Sequence, residues 1–247
     1  MTFLDLTLPS PAENLAADEA LLEWCEHGAG EEVLRFWESS ACFIVLGYAN
    51  KTSTEVNVPV CEAQGIPVLR RCSGGGTVVQ GPGCLNYTLV LKITPGRPFH
   101  TITSTNRFVM ERNRAALESL HPESTASDPG AGIVVRGHTD LCLGRLKFSG
   151  NAQRRRKHFL LFHGTFLLNF DLALINEILP IPSKQPDYRR NRGHAQFLTN
   201  LNLPAENVKA ALQKVWNAHS PLTNPPLENA AALTRDKYTT PGWNHKL

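Results

Sequence analysis

Three consecutive glycines, Gly74 to Gly76, separate two short runs of strand type, Pro67 to Arg71 and Thr77 to Val79. Glycine has no Cβ and weakens a helix or strand by roughly 0.5–1 kcal/mol relative to alanine, so regular structure must end on both sides of this point. Immediately before the glycines stand Arg70 and Arg71. Bare backbone beside a guanidinium fork suits a carboxylate or phosphate lying directly on the chain. The same residues suit a tight hairpin beside an incidental arginine pair, and the loop alone leaves both readings standing.

With 247 residues, 42% of them hydrophobic, the chain can bury one sizeable core, and a single domain over 1–247 is expected. A net charge of +3 is too small to argue for nucleic acid and suits an acidic partner or substrate. Cys25, Cys42, Cys61, Cys72, Cys84 and Cys142 form no C-x-x-C pair and read as reduced thiols of a cytoplasmic protein. Met1 to Ser10 has no basic segment and is cut by Asp5 and Pro9, unlike a signal or transit peptide. No run approaches the length of a membrane span.

Ala12 to Cys25 has helical spacing, with Ala17, Leu21 and Trp24 on one side, and ends near Gly28. Strands are expected over Glu32 to Trp37, Cys42 to Leu46, Pro67 to Arg71, Thr77 to Val79 and Cys84 to Ile93, with a short helix within 54–64. The pieces around the glycines have connections too short for a crossover helix and are expected to pair antiparallel. Thr105 to Leu120 reads as a helix, 122–132 as a loop, and Ile133 to Val135 as strand. Leu141 to Gln153 and Phe159 to Leu172 read as two strands around an Arg154-Arg-Arg-Lys157 turn. The chain turns helical from Ile175, passes through a Pro- and Arg-rich segment (Pro180 to Arg192), and ends with an amphipathic helix at Pro204 to His219. Helices before, between and after antiparallel strands make an α+β fold.

Three further segments bear on the glycine loop. In Gly137-His-Thr-Asp140 a turn delivers a carboxylate that suits Mg²⁺, a nucleotide hydroxyl, or its own backbone. In Leu146 to Gln153, Lys147 sits among apolar and small residues, where lysine needs a partner; pointing into a pocket it would offset phosphate or carboxylate charge, with Gly150 leaving room for the ligand, and pointing outward it would be an ordinary snorkelling strand residue. His163 and Gly164 interrupt an apolar strand, as a ligand contact or as a satisfied core histidine. His158 and His163 lack further ligand spacing, which argues against a metal bound by histidines.

Arg70-Arg-Cys-Ser-Gly-Gly-Gly76, Lys147-Phe-Ser-Gly-Asn-Ala-Gln153, His163-Gly-Thr165 and Glu13-Asn-Leu-Ala-Ala-Asp-Glu-Ala-Leu-Leu22 occur in an order and spacing that resemble the lipoate–protein ligase family, from about Leu4 to Asn244. That family is related to biotin ligases and octanoyltransferases; the form of the Arg-Arg glycine loop is closer to the lipoate branch than to the biotin branch. The resemblance implies a mixed sheet flanked by helices and a two-step reaction using ATP, lipoate and Mg²⁺. Lipoate attacks the α-phosphate to give lipoyl-adenylate and pyrophosphate, and a lysine of a carrier domain then takes the acyl group. It further implies that Lys147 contacts the acyl carbonyl and α-phosphate. Arg71, Ser73, Gly74, Gly75 and Gly76 would line the adenylate pocket, Val78 and Val79 would supply apolar wall, and Asn86, Asp140, Gly150, His163, Gly164 and Thr165 would lie near the nucleotide or acyl chain. Asp140 is also the candidate Mg²⁺ ligand, and Arg154 and Arg155 are candidate contacts to an acidic carrier domain.

Two departures narrow this. Thr139 replaces the asparagine usual before Asp140, which bears on the adenine contact. Lys237 to Asn244 resembles the end of the large domain of these ligases, so the small C-terminal accessory domain is expected to be absent; adenylation then proceeds alone or with a separately encoded accessory protein. The alternatives are octanoyl or lipoyl transfer between carriers without ATP, and a non-catalytic carrier-binding partner. Transfer requires a thiolate near the lysine. Cys142 lies five residues before Lys147 but not where the transferase pattern has its cysteine, and Cys72 and Cys84 flank the glycine loop.

Overall fold

The computed structural model describes residues 1–29, 31–120 and 132–247; the loop expected over 122–132 lies, apart from Gly132, outside them. In chain order the elements are β1 (Thr2–Asp5), α1 (Pro11–Trp24), β2 (Val33–Trp37), β3 (Phe43–Leu46), α2 (Thr52–Glu55), α3 (Val58–Ala63), β4 (Val68–Arg70), β5 (Val78–Gln80), β6 (Cys84–Lys92), α4 (Ile102–Glu118), β7 (Ile133–Arg136), β8 (Asp140–Leu143), β9 (Leu146–Arg155), β10 (Phe159–Leu167), α5 (Leu172–Ile178), α6 (His194–Phe197), α7 (Ala205–Trp216), β11 (Ser220–Pro221), α8 (Leu227–Leu233) and α9 (Pro241–Asn244). The fold is α+β, as expected. No helix among the described residues is long and apolar enough to cross a membrane.

An eight-stranded sheet runs β11-β1-β2-β6-β10-β9-β8-β7, and a three-stranded sheet runs β4-β3-β5. The large sheet is antiparallel except where β1 lies parallel to β2 and β11. The expected pairing around the glycines needs correction. β4 and β5 do not pair with each other: β3 lies between them, parallel to β4 and antiparallel to β5, because α2 and α3 supply the crossover a parallel pair requires. β6 belongs to the other sheet altogether. The run expected as one strand from Leu141 breaks at Gly144, whose φ of 55° opens a hairpin turn between β8 and β9.

Local chemistry explains the helix starts. Ser10 caps α1, with Glu13 reaching back to the Ser10 N–H and Pro11 in the first turn. Thr101 and Ser104 cap α4 in the same reciprocal way, so that helix starts ahead of the expected Thr105. Alternation along β6 then divides the core. Leu85, Tyr87, Leu89 and Leu91 face α4 and α7, while Val90 packs with Leu21 and Leu22 of α1 on the opposite side of the sheet. Asn86 and Thr88 share that second face. Between it and the small sheet lies the principal cavity.

Candidate active site

The cavity has a volume of about 810 Å³ and takes its walls from both sheets and from the 182–198 segment. Leu15, Trp37, Val45, Val78 and Val79 make an apolar side, and Arg71, Asp140, Lys147 and His163 bring charged and titratable groups to the same space. Of the residues selected from sequence, Arg71, Gly75, Gly76, Asn86, Asp140, Lys147, Gly150, His163, Gly164 and Thr165 line it. Ser73 and Gly74 do not.

Arg71 explains the glycine loop. Its Nε donates to Ser73 Oγ (3.0 Å) and Gly74 O (3.1 Å), and its Nη2 donates to Gly74 O (2.7 Å) and Gly76 O (2.8 Å). The loop therefore curls around a guanidinium that, among the described residues, meets only neutral acceptors. Gly75 turns the chain with φ 88°, and the absence of a Cβ at Gly47 lets the Gly75 carbonyl approach. Burial pulls the Arg71 pKa down to about 10, so it keeps its charge at neutral pH. An anion in the cavity would supply the counter-charge it lacks. Arg70 is spent elsewhere, on the carbonyls of Gly47, Asn50 and Asn244.

Behind the loop runs a buried chain of hydrogen bonds. Ser73 Oγ lies 2.6 Å from His163 Nε2, and His163 Nδ1 lies 3.3 Å from Asp18 Oδ2. The carboxylate can only accept, which places a proton on Nδ1 and leaves Nε2 to accept from Ser73. Asp18 Oδ1 meets Arg35 Nη1 at 2.6 Å. Burial works against ionisation of Asp18, but Arg35, with His163, outweighs it and holds the carboxyl below the usual aspartate value. Asp18 lies within the α1 motif read from sequence, yet nothing in a helical pattern marks it as the partner of a histidine 145 residues away.

Lys147 Nζ is 2.8 Å from Asp140 Oδ1, and Tyr188 OH donates to Asp140 Oδ2 at 2.7 Å. Gly150 serves this arrangement: a Cβ there would stand 2.8 Å from Nζ, so the room it leaves is for the lysine itself. Burial and then Asp140 push the Tyr188 phenol well above its ordinary value, which keeps it a proton donor. With both Asp140 oxygens engaged, and no group of three His, Cys, Asp or Glu able to hold a metal among the described residues, the residues present do not fit a preformed Mg²⁺ site. Tyr188 sits in the Pro- and Arg-rich segment and carries no motif, so sequence reading missed it.

Other selected residues serve packing. A Cβ on Gly164 would overlap the Asn151 amide and come 2.9 Å from Tyr87 Cε1. Thr165 Oγ1 donates to Asn86 Oδ1 (2.6 Å) and accepts from Gln80 Nε2 (2.9 Å), which fixes that part of the wall. Thr139 Oγ1 donates to Asn151 O at 2.9 Å, committing the hydroxyl to backbone. Arg154 and Arg155 are on β9 rather than at a hairpin tip, and the turn falls after them because Arg156 N bonds Phe159 O. Arg155 is spent on Phe99 O at 2.6 Å and on Thr105 Oγ1 at 3.3 Å.

None of the six cysteines lines the cavity. Burial pushes the Cys72 and Cys84 thiols up to about 12 and raises that of Cys142 as well, so none is a ready thiolate.

The lipoyl protein ligase A/B catalytic domain matches residues 10–217. The chain belongs to this family. It is 29% identical over 249 residues to lipoate–protein ligase 1 of Staphylococcus aureus, covering 96% of this chain and 71% of the relative. It is 26% identical over 271 residues to octanoyltransferase LipM of Anoxybacillus flavithermus, covering 99% and 97%. Among solved structures, lipoate-protein ligase A bound with ATP superposes with a TM-score of 0.76 at 26% identity, covering 99% of this chain and 98% of that one. A bi-partite lipoate protein ligase of Thermoplasma acidophilum, studied with its E2 lipoyl domain, gives 0.77 at 25% identity, covering 99% and 95%. The chain is thus an enzyme of the lipoate–protein ligase and octanoyltransferase family, and both kinds of name occur among its relatives.

Proposed function

We propose that this family member activates lipoate with ATP and attaches the lipoyl group to a lysine of a carrier domain. The observation that carries this reading is the content of the cavity wall: Arg71 and Lys147 are there, and no cysteine is. Two cations suit an acyl-phosphate mixed anhydride, whereas thioester transfer needs a thiolate at the acyl carbon. The ATP bound by one relative supports the nucleotide, and the lipoate–protein ligase name of another supports the acyl group.

In the first step a lipoate carboxylate oxygen attacks the α-phosphorus, the bond to the β-phosphate bridging oxygen breaks, and pyrophosphate leaves. Lys147 offsets the charge on the equatorial phosphate oxygens, held in place by Asp140, while Arg71 and the Gly75–Gly76 backbone cradle the carboxylate end. In the second step the carrier lysine amine attacks the acyl carbonyl, AMP departs with the bonding pair, and the amine loses its proton. Charge stabilisation of this kind contributes most when the donors are fixed beforehand. The bi-partite lipoate protein ligase among the relatives supports a second, accessory protein acting with this chain.

Purified chain given lipoate and ATP, with and without the accessory protein, should release pyrophosphate, and Lys147→Ala should abolish release. No pyrophosphate, together with acyl transfer from an octanoylated carrier, would replace this reading with the octanoyltransferase one. Carrier binding without either activity would leave a non-catalytic partner.

A further inference from the structure

A ladder of cations and aromatic rings stands beside the glycine loop, outside the cavity. Tyr48 is 42% exposed, and its backbone N–H donates to Ser73 O at 2.8 Å, which ties it to the loop. The Arg154 guanidinium carbon lies 5.7 Å from the Tyr48 ring centroid, and Lys246 Nζ lies 3.3 Å from the same centroid. Lys246 also sits 4.1 Å from the Trp243 ring, and Lys237 sits 4.0 Å from it. Among the described residues, Lys237 alone of these cations has a carboxylate, Glu19 at 2.6 Å. Arg154 and Lys246 make no ion pair among the described residues, and Arg154 Nε is buried without a hydrogen-bond partner. Burial holds the Lys246 ammonium below its ordinary value, opposed by Tyr48, with Arg70 and Lys237 adding smaller downward contributions.

Position gives this charge a use. Gly150, Ala152 and Arg154 follow one another on one face of β9. Gly150 adjoins Lys147 Nζ, Ala152 Cβ lies 3.4 Å from where a Gly75 Cβ would be, and Arg154 is the next residue on that face. The patch is therefore roughly 13 Å along the strand from Gly150, the residue beside the Lys147 ammonium. Any macromolecule that brings an amine into the cavity past the glycine loop comes against it.

We propose that Arg154, Tyr48 and Lys246 form the docking surface for the acceptor protein, and that this acceptor is a domain whose modified lysine is flanked by carboxylates. The aromatic ring holds the two cations apart from their own backbone and offers apolar contact, and the unpaired charges select the acidic face and speed encounter. The proposal rests on the reading of this chain as an enzyme that acylates a carrier lysine.

The test uses the full chain as wild type, as Lys246→Glu, and as Arg154→Gln/Lys246→Glu, with a recombinant lipoyl domain whose acceptor lysine has acidic neighbours. Titration calorimetry at low salt should show Kd rising at least tenfold in the double variant, with a smaller rise in the single one, and a flattened salt dependence. Release of lipoyl hydroxamate from lipoate, ATP and hydroxylamine should be unchanged, because that acceptor needs no docking. Equal Kd values in wild type and both variants overturn the proposal, as does an unchanged Kd with a raised KM for ATP, which would assign the cations to the nucleotide. Absence of hydroxamate from wild type, with and without the accessory protein, defeats the ligase reading alone, since the binding measurement still decides the docking surface.

Discussion

Lys147 and Asp140 meet at 2.8 Å across the β8–β9 pair. The contact depends on a register shift between Leu141 and Cys142, which sets Asp140 opposite Gly150 and Cys142 opposite Lys147. A lysine held in this way loses little freedom when it engages a phosphate, because its position is already set by a neighbouring strand. Asp140 is in turn held by Tyr188 from a distant segment, and the three groups act as one unit.

Tyr188→Phe should therefore slow adenylate formation while leaving lipoate and ATP affinity nearly intact. Loss of one hydrogen bond to a carboxylate is worth about 1.5–3 kcal/mol, so kcat should fall roughly tenfold or more. Asp140→Asn should cost less in the Tyr188→Phe background than in wild type, since both changes release the same lysine. A double-mutant cycle in pyrophosphate exchange, read as kcat and KM separately, measures the coupling; strictly additive effects would separate Tyr188 from Lys147.

Gly75→Ala should loosen the loop. The residue has φ 88°, and its Cβ would stand 2.8 Å from Arg71 Nη2. Left-handed backbone costs a non-glycine residue about 1–2 kcal/mol, which for a domain of this size lowers Tm by roughly 2–8 °C. Lipoate affinity should fall further than stability alone explains, because Arg71 must move. Calorimetric Kd and thermal melts on the same samples distinguish the two effects.

Alkylation should leave the enzyme active. Cys72 and Cys84 have thiols pushed up to about 12 by burial, and none of the cysteines reaches the cavity. Iodoacetamide near neutral pH should react slowly with the native chain, with no loss of acyl transfer beyond the rate of unfolding. Rapid inactivation tracking one modified cysteine, mapped by mass spectrometry, would restore the thioester route.

Acid should weaken the fold through Asp18. Its folded-state pKa lies below the ordinary value, chiefly because Arg35 overcomes the cost of burial, so its contribution is complete above the unfolded value of about 3.9 and is lost as pH falls through the folded one. Asp18→Asn leaves Arg35 buried without a counter-charge, at a cost of about 3–5 kcal/mol. Melting curves from acid to neutral pH should show a large drop in Tm for the variant and a shallower acid limb than in wild type.

The residues themselves determined the class and much of the site. Composition and apolar spacing placed the main helices, β-branched runs placed most strands, and Gly74 to Gly76, Lys147 and His163 stood out because each is chemically unusual where it occurs. Those signals are local: they depend on neighbours along the chain. Tertiary structure alone decided that β3 separates β4 from β5, that Arg71 closes on its own loop, and that Gly150 makes room for Lys147. It also decided that Asp18 from α1 meets His163 from β10, that Tyr188 closes on Asp140, and that Arg155 is consumed by Phe99 and Thr105 while Arg154 makes no ion pair among the described residues. Each of these is a contact between segments far apart in sequence, set by strand register and by where buried charges find partners. No periodicity along the chain encodes it.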